Sequence, residues 1–117
     1  MVNSSLSRIV TILKHIDTIQ NDLGDMSLSE YKQSDLLVRA TCFSLCQIGE
    51  HMNKLEKEFG SRYPNIPWRD AIDMRNLIVH VYNKVKAEIV YKTVKNNLKD
   101  LTDGLLVIKK DLETNPN

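Results

Sequence analysis

The sequence is sparing in the residues that build hairpins, disulfide frameworks and membrane spans. Among its 117 residues are two Cys, three Pro and four Gly, and aromatic residues make up 6%. No uninterrupted apolar stretch approaches the roughly 20 residues that span a bilayer. Residues 1–5 lack the basic start and apolar middle of a secretory signal. We therefore expect a cytoplasmic protein with no membrane association.

An excess of charge of one sign is also lacking. The formal net charge is +1, which argues against a protein that coats nucleic acid through electrostatics alone. Residues 1–59 carry six Lys or Arg against eight Asp or Glu, whereas residues 60–117 carry ten against seven. Lysines of the basic half either collect phosphates around a cleft or form an ordinary solvated helix face; they are Lys84, Lys86, Lys92, Lys95 and Lys99.

The two cysteines, Cys42 and Cys46, lie four residues apart in a segment with helical periodicity, so their side chains share one face. This spacing permits two metal ligands. Further ligands would be needed, and neither His15 nor His51 lies at a recognised metal-site spacing from the thiols. We favour packing of both thiols in a reduced core and expect neither a metal nor a cofactor.

Helical periodicity dominates the chain. Apolar residues at three- and four-residue steps predict long helices over residues 6–23, from 34 or 35 to 59, and from 87 to 113. The core positions expected in the second of these helices are Leu37, Ala40, Thr41, Phe43 or Ser44, Ile48, Met52, Leu55 and Phe59. In the last helix the apolar stripe includes Ile89, and Gly104 is a weak point.

Shorter segments complete this pattern. Ser27 and Glu30 have the spacing of a capping box, which predicts a short helical turn to about residue 33. Pro67 is expected to start another helix, with Trp68 in the core. Because strand-like alternation and hairpin signals are lacking, we predict an all-α antiparallel bundle of four to five helices. It should form one domain over residues 1–117, with residues 114–117 frayed.

Residues 75–82 concentrate chemically versatile side chains. Arg75, Asn76, His80 and Tyr82 supply a planar cation, an amide, an imidazole and a phenol. Arginine offers a fork of donors that matches phosphate oxygens, and histidine exchanges protons near neutral pH. The segment therefore predicts a site that handles a phosphodiester, although a histidine near a helix C-terminus is also favoured for structural reasons.

Helical geometry limits how these groups can meet. At about 100° per residue, Arg75 and His80 point about 140° apart, whereas Arg75 and Tyr82 nearly align. Either the helix loosens around His80, or a second copy of the segment completes the site across a two-fold axis, and both can hold. We therefore expect a two-fold homodimer.

The same residues resemble a known signature. Arg-x4-His with a polar residue after the Arg is the mark of the HEPN superfamily of all-α ribonucleases, and Arg-x4-His-x-Tyr resembles the HepT-like toxins. The resemblance extends to Arg39-Ala40, Ile48-Gly49-Glu50 and Ile66-Pro67-Trp68. It implies an HEPN-like bundle and a homodimeric, metal-independent endoribonuclease, the toxin of a toxin–antitoxin pair. A minimal nucleotidyltransferase antitoxin would silence it by AMPylation of the motif tyrosine.

This resemblance also assigns roles to individual residues. Arg75, His80 and Asn76 are the expected catalytic residues, which would cleave RNA by attack of a ribose 2′-hydroxyl. Tyr82 is the expected modification site or RNA contact, and Glu50 and Arg39 are candidates to support the site. The alternative hypothesis is a non-catalytic subunit that binds a nucleotide or RNA and pairs with a nucleotidyltransferase.

Overall fold

The computed structural model describes residues 2–82 and 85–114, and over these residues the chain forms five α-helices without a β-strand. The helices are Val2–Leu23 (α1), Leu28–Lys32 (α2), Asp35–Phe59 (α3), Trp68–Val81 (α4) and Ala87–Thr114 (α5). The predicted all-α bundle is confirmed. Within this described part of the chain, none of the helices combines the length and the apolarity that crossing a membrane requires.

The helix boundaries follow local chemistry. Gly24, with φ of 49°, adopts the left-handed conformation that ends α1. The capping box of α2 is present, because Ser27 Oγ accepts from the Glu30 amide at 3.2 Å and Glu30 Oε1 accepts from the Ser27 amide at 2.9 Å. Ser34 then caps α3 by accepting from the Leu37 amide at 3.2 Å. Consecutive caps therefore define the corner between α2 and α3.

The core lies between α1, α3 and α5, with α4 packed on α3. Each of the three long helices contributes one buried stripe, for example Ile12 from α1, Ile48 from α3 and Leu105 from α5. Trp68 is also buried, as predicted, and its indole N–H donates to the Tyr63 carbonyl at 3.0 Å. The start of α4 is thereby fixed to the turn that precedes it.

Two expected core positions are wrong, Ala40 in α3 and Ile89 in α5, whereas the expectation of Phe43 or Ser44 is met by Ser44. Phe43 is 62% exposed and Ala40 is also exposed, so Ser44 is the buried member of the pair Phe43 or Ser44. In α5, Ile89 is 44% exposed and Val90 is fully buried in its place. The cause is that α3 and α5 each bury a narrow stripe, while residues at its edge reach solvent. Phe43 lies at such an edge, where its ring contacts the His15 ring.

Gly49 allows α3 and α4 to approach closely. It is buried in α3, and a Cβ at this position would overlap Arg75 Cβ and lie 2.9 Å from the Ala71 carbonyl oxygen. The contacts are with the first carbon of a side chain and with backbone, neither of which can move aside without shifting α4. The absence of a side chain at residue 49 therefore sets the position of Arg75.

Gly49→Ala is expected to destabilise the fold by about 1–3 kcal/mol through overpacking, even though Ala has the higher helix propensity. The comparison variant is Gly104→Ala in α5, where an added Cβ would meet Ile66 Cγ1 at 2.6 Å, so the buried Ile66 side chain must shift. This variant should lose less stability than Gly49→Ala, because one side chain repacks at a lower cost than two packed helices. Urea unfolding measures both. Equal stability of Gly49→Ala and wild type would contradict the account of the helix crossing.

Candidate functional site

Arg75 links the two packed helices. One terminal nitrogen, Nη1, donates to Asn76 Oδ1 at 2.7 Å, and the other, Nη2, forms an ion pair with Glu50 of α3. The Arg75 side chain is 32% exposed and that of Glu50 is 45% exposed, so the guanidinium is held near the protein surface, between α3 and α4. Its orientation is therefore fixed by one partner on its own helix and one on the neighbouring helix.

The guanidinium retains capacity for another ligand. Of its five N–H donors, one is used by Asn76 and one by Glu50, and Nε is buried without a hydrogen-bond partner among the described residues. A polar pocket of about 160 Å³ adjoins it; its lining residues are Glu50, Asn53, Arg69, Ile72, Arg75 and Asn76. An acceptor-rich group such as a phosphate would match the free donors.

Arg69, the second arginine of this pocket, is already occupied. It donates to Glu56 Oε1 and to Asp73 Oδ1, both at 3.2 Å. Arg69 and Asn53 line this pocket, although the sequence alone did not identify them as candidate site residues. A signal existed for Asn53, which lies three residues after Glu50 and so shares its face of α3. Arg75 is therefore the cation of the pocket that is not paired with two acids.

His80 is exposed on the last turn of α4. The helix stays regular through Val81, so the alternative that it loosens around His80 is wrong. Asn76 and His80 are four residues apart and therefore point only about 40° apart. Arg75 donates to the Asn76 side chain. The Arg75 side chain therefore bends towards the face of α4 that carries Asn76 and His80. No hydrogen bond joins His80 to Arg75 within the described residues.

Tyr82 and Arg39, the other two predicted site residues, do not contact Arg75, Asn76 or Glu50 through a hydrogen bond or ion pair found among the described residues. Tyr82 directly follows α4 and is 42% exposed. Arg39 forms an ion pair with Asp35 at 3.0 Å on the exposed face of α3, about 16 Å along the helix from Glu50. The structure thus brings together Arg75, Asn76 and Glu50, whereas a role for Arg39 at the site stays a prediction.

The cysteines belong to the core side of α3. Cys42 is 3% exposed and Cys46 packs against the same core. Burial raises the pKa of the Cys42 thiol to about 11, and burial likewise raises the pKa of Cys46. Both groups are therefore neutral thiols near pH 7, in agreement with the packing role favoured from the sequence.

An all-α bundle that presents Arg-x4-His on one helix defines the class of HEPN-type helical proteins. Comparison with protein-family models gives the family within this class: residues 12–108 match the model described as "Ribonuclease HepT-like". The chain therefore belongs to the HepT-like ribonuclease family.

Several relatives share this similarity over most of the chain. "Putative RNase MJ0125" of Methanocaldococcus jannaschii is 31% identical over 102 residues, which cover 87% of this chain and 88% of that protein. "Probable ribonuclease HepT" of Thermococcus cleftensis is 35% identical over 63 residues, or 54% of this chain and 57% of that protein.

A third relative is a longer protein. "Gamma-glutamylcyclotransferase and putative RNase MJ0434" of M. jannaschii is 28% identical over 106 residues, which cover 91% of this chain but only 48% of that protein. The chain thus spans about half of its length. No solved structure matches the chain at a significant level.

His51, unlike His80, is engaged within the fold. Its Nδ1 lies 3.2 Å from Nη1 of Arg8 on α1, an arrangement in which neutral imidazole accepts the hydrogen bond. Burial, and then the charge of Arg8, lowers the pKa of His51 below its ordinary value of 6.5. His51 therefore joins α1 to α3 as a neutral ring.

The free energy of unfolding is expected to fall as the pH drops below about 6.5, because the unfolded chain binds a proton at His51 more readily than the folded one. Above that pH the contribution is constant. His51→Gln, which keeps a polar acceptor but does not titrate, should weaken this dependence, whereas His15→Gln should retain it. Urea unfolding between about pH 5 and 7.5 makes the comparison. An unchanged slope in His51→Gln would contradict the assignment.

Proposed function

We propose that this protein is a metal-independent endoribonuclease in which Arg75, His80 and Asn76 carry out the chemistry. The observation that supports this most directly is the Arg75 guanidinium, which Glu50 and Asn76 hold while further N–H donors stay free. Asn76 in turn lies about one helical turn from the exposed His80. Membership of the HepT-like ribonuclease family supports the same activity.

The proposed reaction uses the nucleophile that RNA itself carries. The ribose 2′-oxygen attacks the adjacent phosphorus while neutral His80 accepts the hydroxyl proton. The bond from phosphorus to the 5′-oxygen breaks, a protonated imidazole donates to that oxygen, and a cyclic phosphate and a 5′-hydroxyl are left. Arg75 stabilises the charge that grows on the phosphorane oxygens, and the Asn76 amide, which keeps its N–H donors, orients the phosphate or His80.

A second copy of the chain would supply the second imidazole. The reaction needs a base and an acid at once, and each chain carries one His80. Large apolar side chains near the motif are exposed, with Leu77 at 39% and Val79 at 53%. Pairing about a two-fold axis would cover them and place two copies of His80 in one groove. One imidazole would then serve as the base and the other as the acid.

Arg75→Ala and His80→Ala are each expected to reduce RNA cleavage by at least about 10²-fold, as loss of transition-state charge stabilisation or of proton transfer would do. Arg62→Ala and His15→Ala are matched controls that should retain activity. Purified proteins are incubated with total RNA, and cleavage is measured as a rate. The rate should also vary with pH between about 5 and 8.

Equal behaviour of all these preparations would show that the motif does not catalyse cleavage. It would favour the alternative function, a subunit that binds a nucleotide or RNA without cutting it. A rate that stays flat over the pH range would argue against His80 as the acid and base.

We also propose that a minimal nucleotidyltransferase antitoxin silences this ribonuclease through Tyr82. Tyr82 is 42% exposed, so a second protein can reach this residue. The tyrosine oxygen would attack the α-phosphorus of ATP, forming an oxygen–phosphorus bond as pyrophosphate leaves. The AMP group adds bulk and negative charge where an RNA phosphate must lie, so blockage and repulsion act together.

Co-production with the cognate nucleotidyltransferase is expected to raise the intact mass of this chain by whole AMP units and to suppress RNA cleavage. Tyr82→Phe should show neither change, whereas Tyr63→Phe, which alters a tyrosine that donates to Asp111 at 2.6 Å, should show both. Intact-mass spectrometry and the cleavage rate are measured on the same samples. AMP on a Tyr82→Phe chain would rule out Tyr82 as the acceptor.

A further inference from the structure

A second pocket lies about Tyr82, apart from the one at Arg75. Its walls come from the end of α2, the first turns of α3, the residue after α4 and the start of α5, and its volume is about 310 Å³. Ligand pockets in proteins begin at about 300 Å³. The space therefore suits one small ligand unit. The pockets do not share a lining residue among those described.

The inner wall of this pocket is apolar and uncharged. Val38 and Cys42 of α3 line it together with Val85 and with Ala87 of α5, and all four are at least partly buried. The Cys42 thiol is neutral because burial raises its pKa to about 11. A flat aromatic ring would be favoured against such a wall, and Tyr82, which also lines the pocket and is 42% exposed, supplies an aromatic ring for stacking.

The outer rim is polar and has an available cation. Lys32 lies at the rim and does not take part in an ion pair within the described residues, whereas the rim acid Asp35 is already paired with Arg39 at 3.0 Å. The Gln33 amide lies between them in the sequence and also lines the pocket. The rim can thus bind an anion at Lys32 and hydrogen-bond a ring edge at Gln33.

The spacing of the two pockets suits a nucleic-acid strand. Arg75 and Tyr82 are seven residues apart, about 10.5 Å along α4, and point in nearly the same direction. Stacked nucleotides rise about 3.4 Å each. A strand with one phosphate at Arg75 would therefore bring a nucleotide about three steps away to Tyr82.

We infer that this pocket binds one nucleotide unit, with the base between Tyr82 and the Val38–Cys42 wall and the phosphate at Lys32. The unit can come from two sources, a nucleotide of the RNA strand near the cut or the AMP group attached to Tyr82. The choice between these sources rests on the proposed function. The binding of a nucleotide unit in this pocket does not depend on that function.

The first experiment measures binding of AMP, GMP, CMP and UMP to the intact protein by two-dimensional NMR titration. We expect saturable shifts at pocket residues. Val38→Phe, which fills the pocket, should abolish these shifts, and Lys32→Ala should weaken binding about tenfold through loss of a charge-assisted contact. Val107→Phe and Lys57→Ala make the same changes at exposed positions of α5 and α3 and should bind as the wild type does.

The second experiment separates the two sources by sequencing the products that each variant forms from an RNA of random sequence. If RNA occupies the pocket, the products that Val38→Phe forms should lack a base preference about three positions from the cut that the wild-type products show. If the AMP group occupies it, AMP should bind in preference to the other nucleotides, and Val38→Phe should leave the base preference unchanged. Either result supports the inference that this pocket binds a nucleotide unit.

The inference is overturned if none of the four nucleotides shifts pocket resonances, or if Val38→Phe and Lys32→Ala bind as their controls do. Circular dichroism and urea unfolding show whether each variant is folded, and Val38→Leu provides a milder change if Val38→Phe is not. A wild type that binds nucleotides but does not cut RNA would refute the ribonuclease proposal, whereas the inference that this pocket binds a nucleotide would still hold.

Discussion

The close crossing of α3 and α4 at Gly49 is the constraint on which the candidate site depends. Because Gly49 has no side chain, the two backbones approach until Arg75 Cβ occupies the space that a Cβ at residue 49 would fill. Glu50, the next residue of α3, is thereby brought to the Arg75 guanidinium. The fold and the site thus share one contact, so a change in helix packing is also a change in the position of the cation.

The ion pair between Arg75 and Glu50 serves orientation more than stability. Both side chains are partly exposed, and ion pairs in such surroundings contribute little to the free energy of folding. Their value lies in geometry, because a flexible arginine loses several rotamers before it can bind a phosphate. With Glu50 and Asn76 in place, much of that ordering cost is met in the free protein.

Much of the architecture could be predicted from local signals. The capping box at Ser27, the cap at Ser34 and Pro67 act on neighbouring backbone, so the sequence alone marks those boundaries. The errors at Ala40 and Ile89 have the opposite origin. Whether a residue at the edge of an apolar stripe is covered depends on the helices beside it; Phe43, for example, meets the His15 ring of α1 edge-on and still stays 62% exposed.

The sequence pointed to some of the side chains that the structure brings together, such as Arg75, Asn76 and Glu50, but not to the contacts between them. Spacing placed Arg75 and His80 about 140° apart, and the sequence could not show that Arg75 would bind its neighbour Asn76. That contact depends on where α3 places Glu50. Arg69 and Asn53 were missed because ordinary surface residues become pocket residues only when two helices meet.

The placement of the motif within the bundle has a consequence for gene fusion. Among the described residues, those that line the Arg75 pocket belong to α3 and α4, while α1 and α5 pack against α3. An extra domain joined before α1 or after α5 would leave α3 and α4 undisturbed. The M. jannaschii relative that is about twice as long, and whose name gives it a second activity, illustrates how such a bundle can be carried as one module of a bifunctional enzyme.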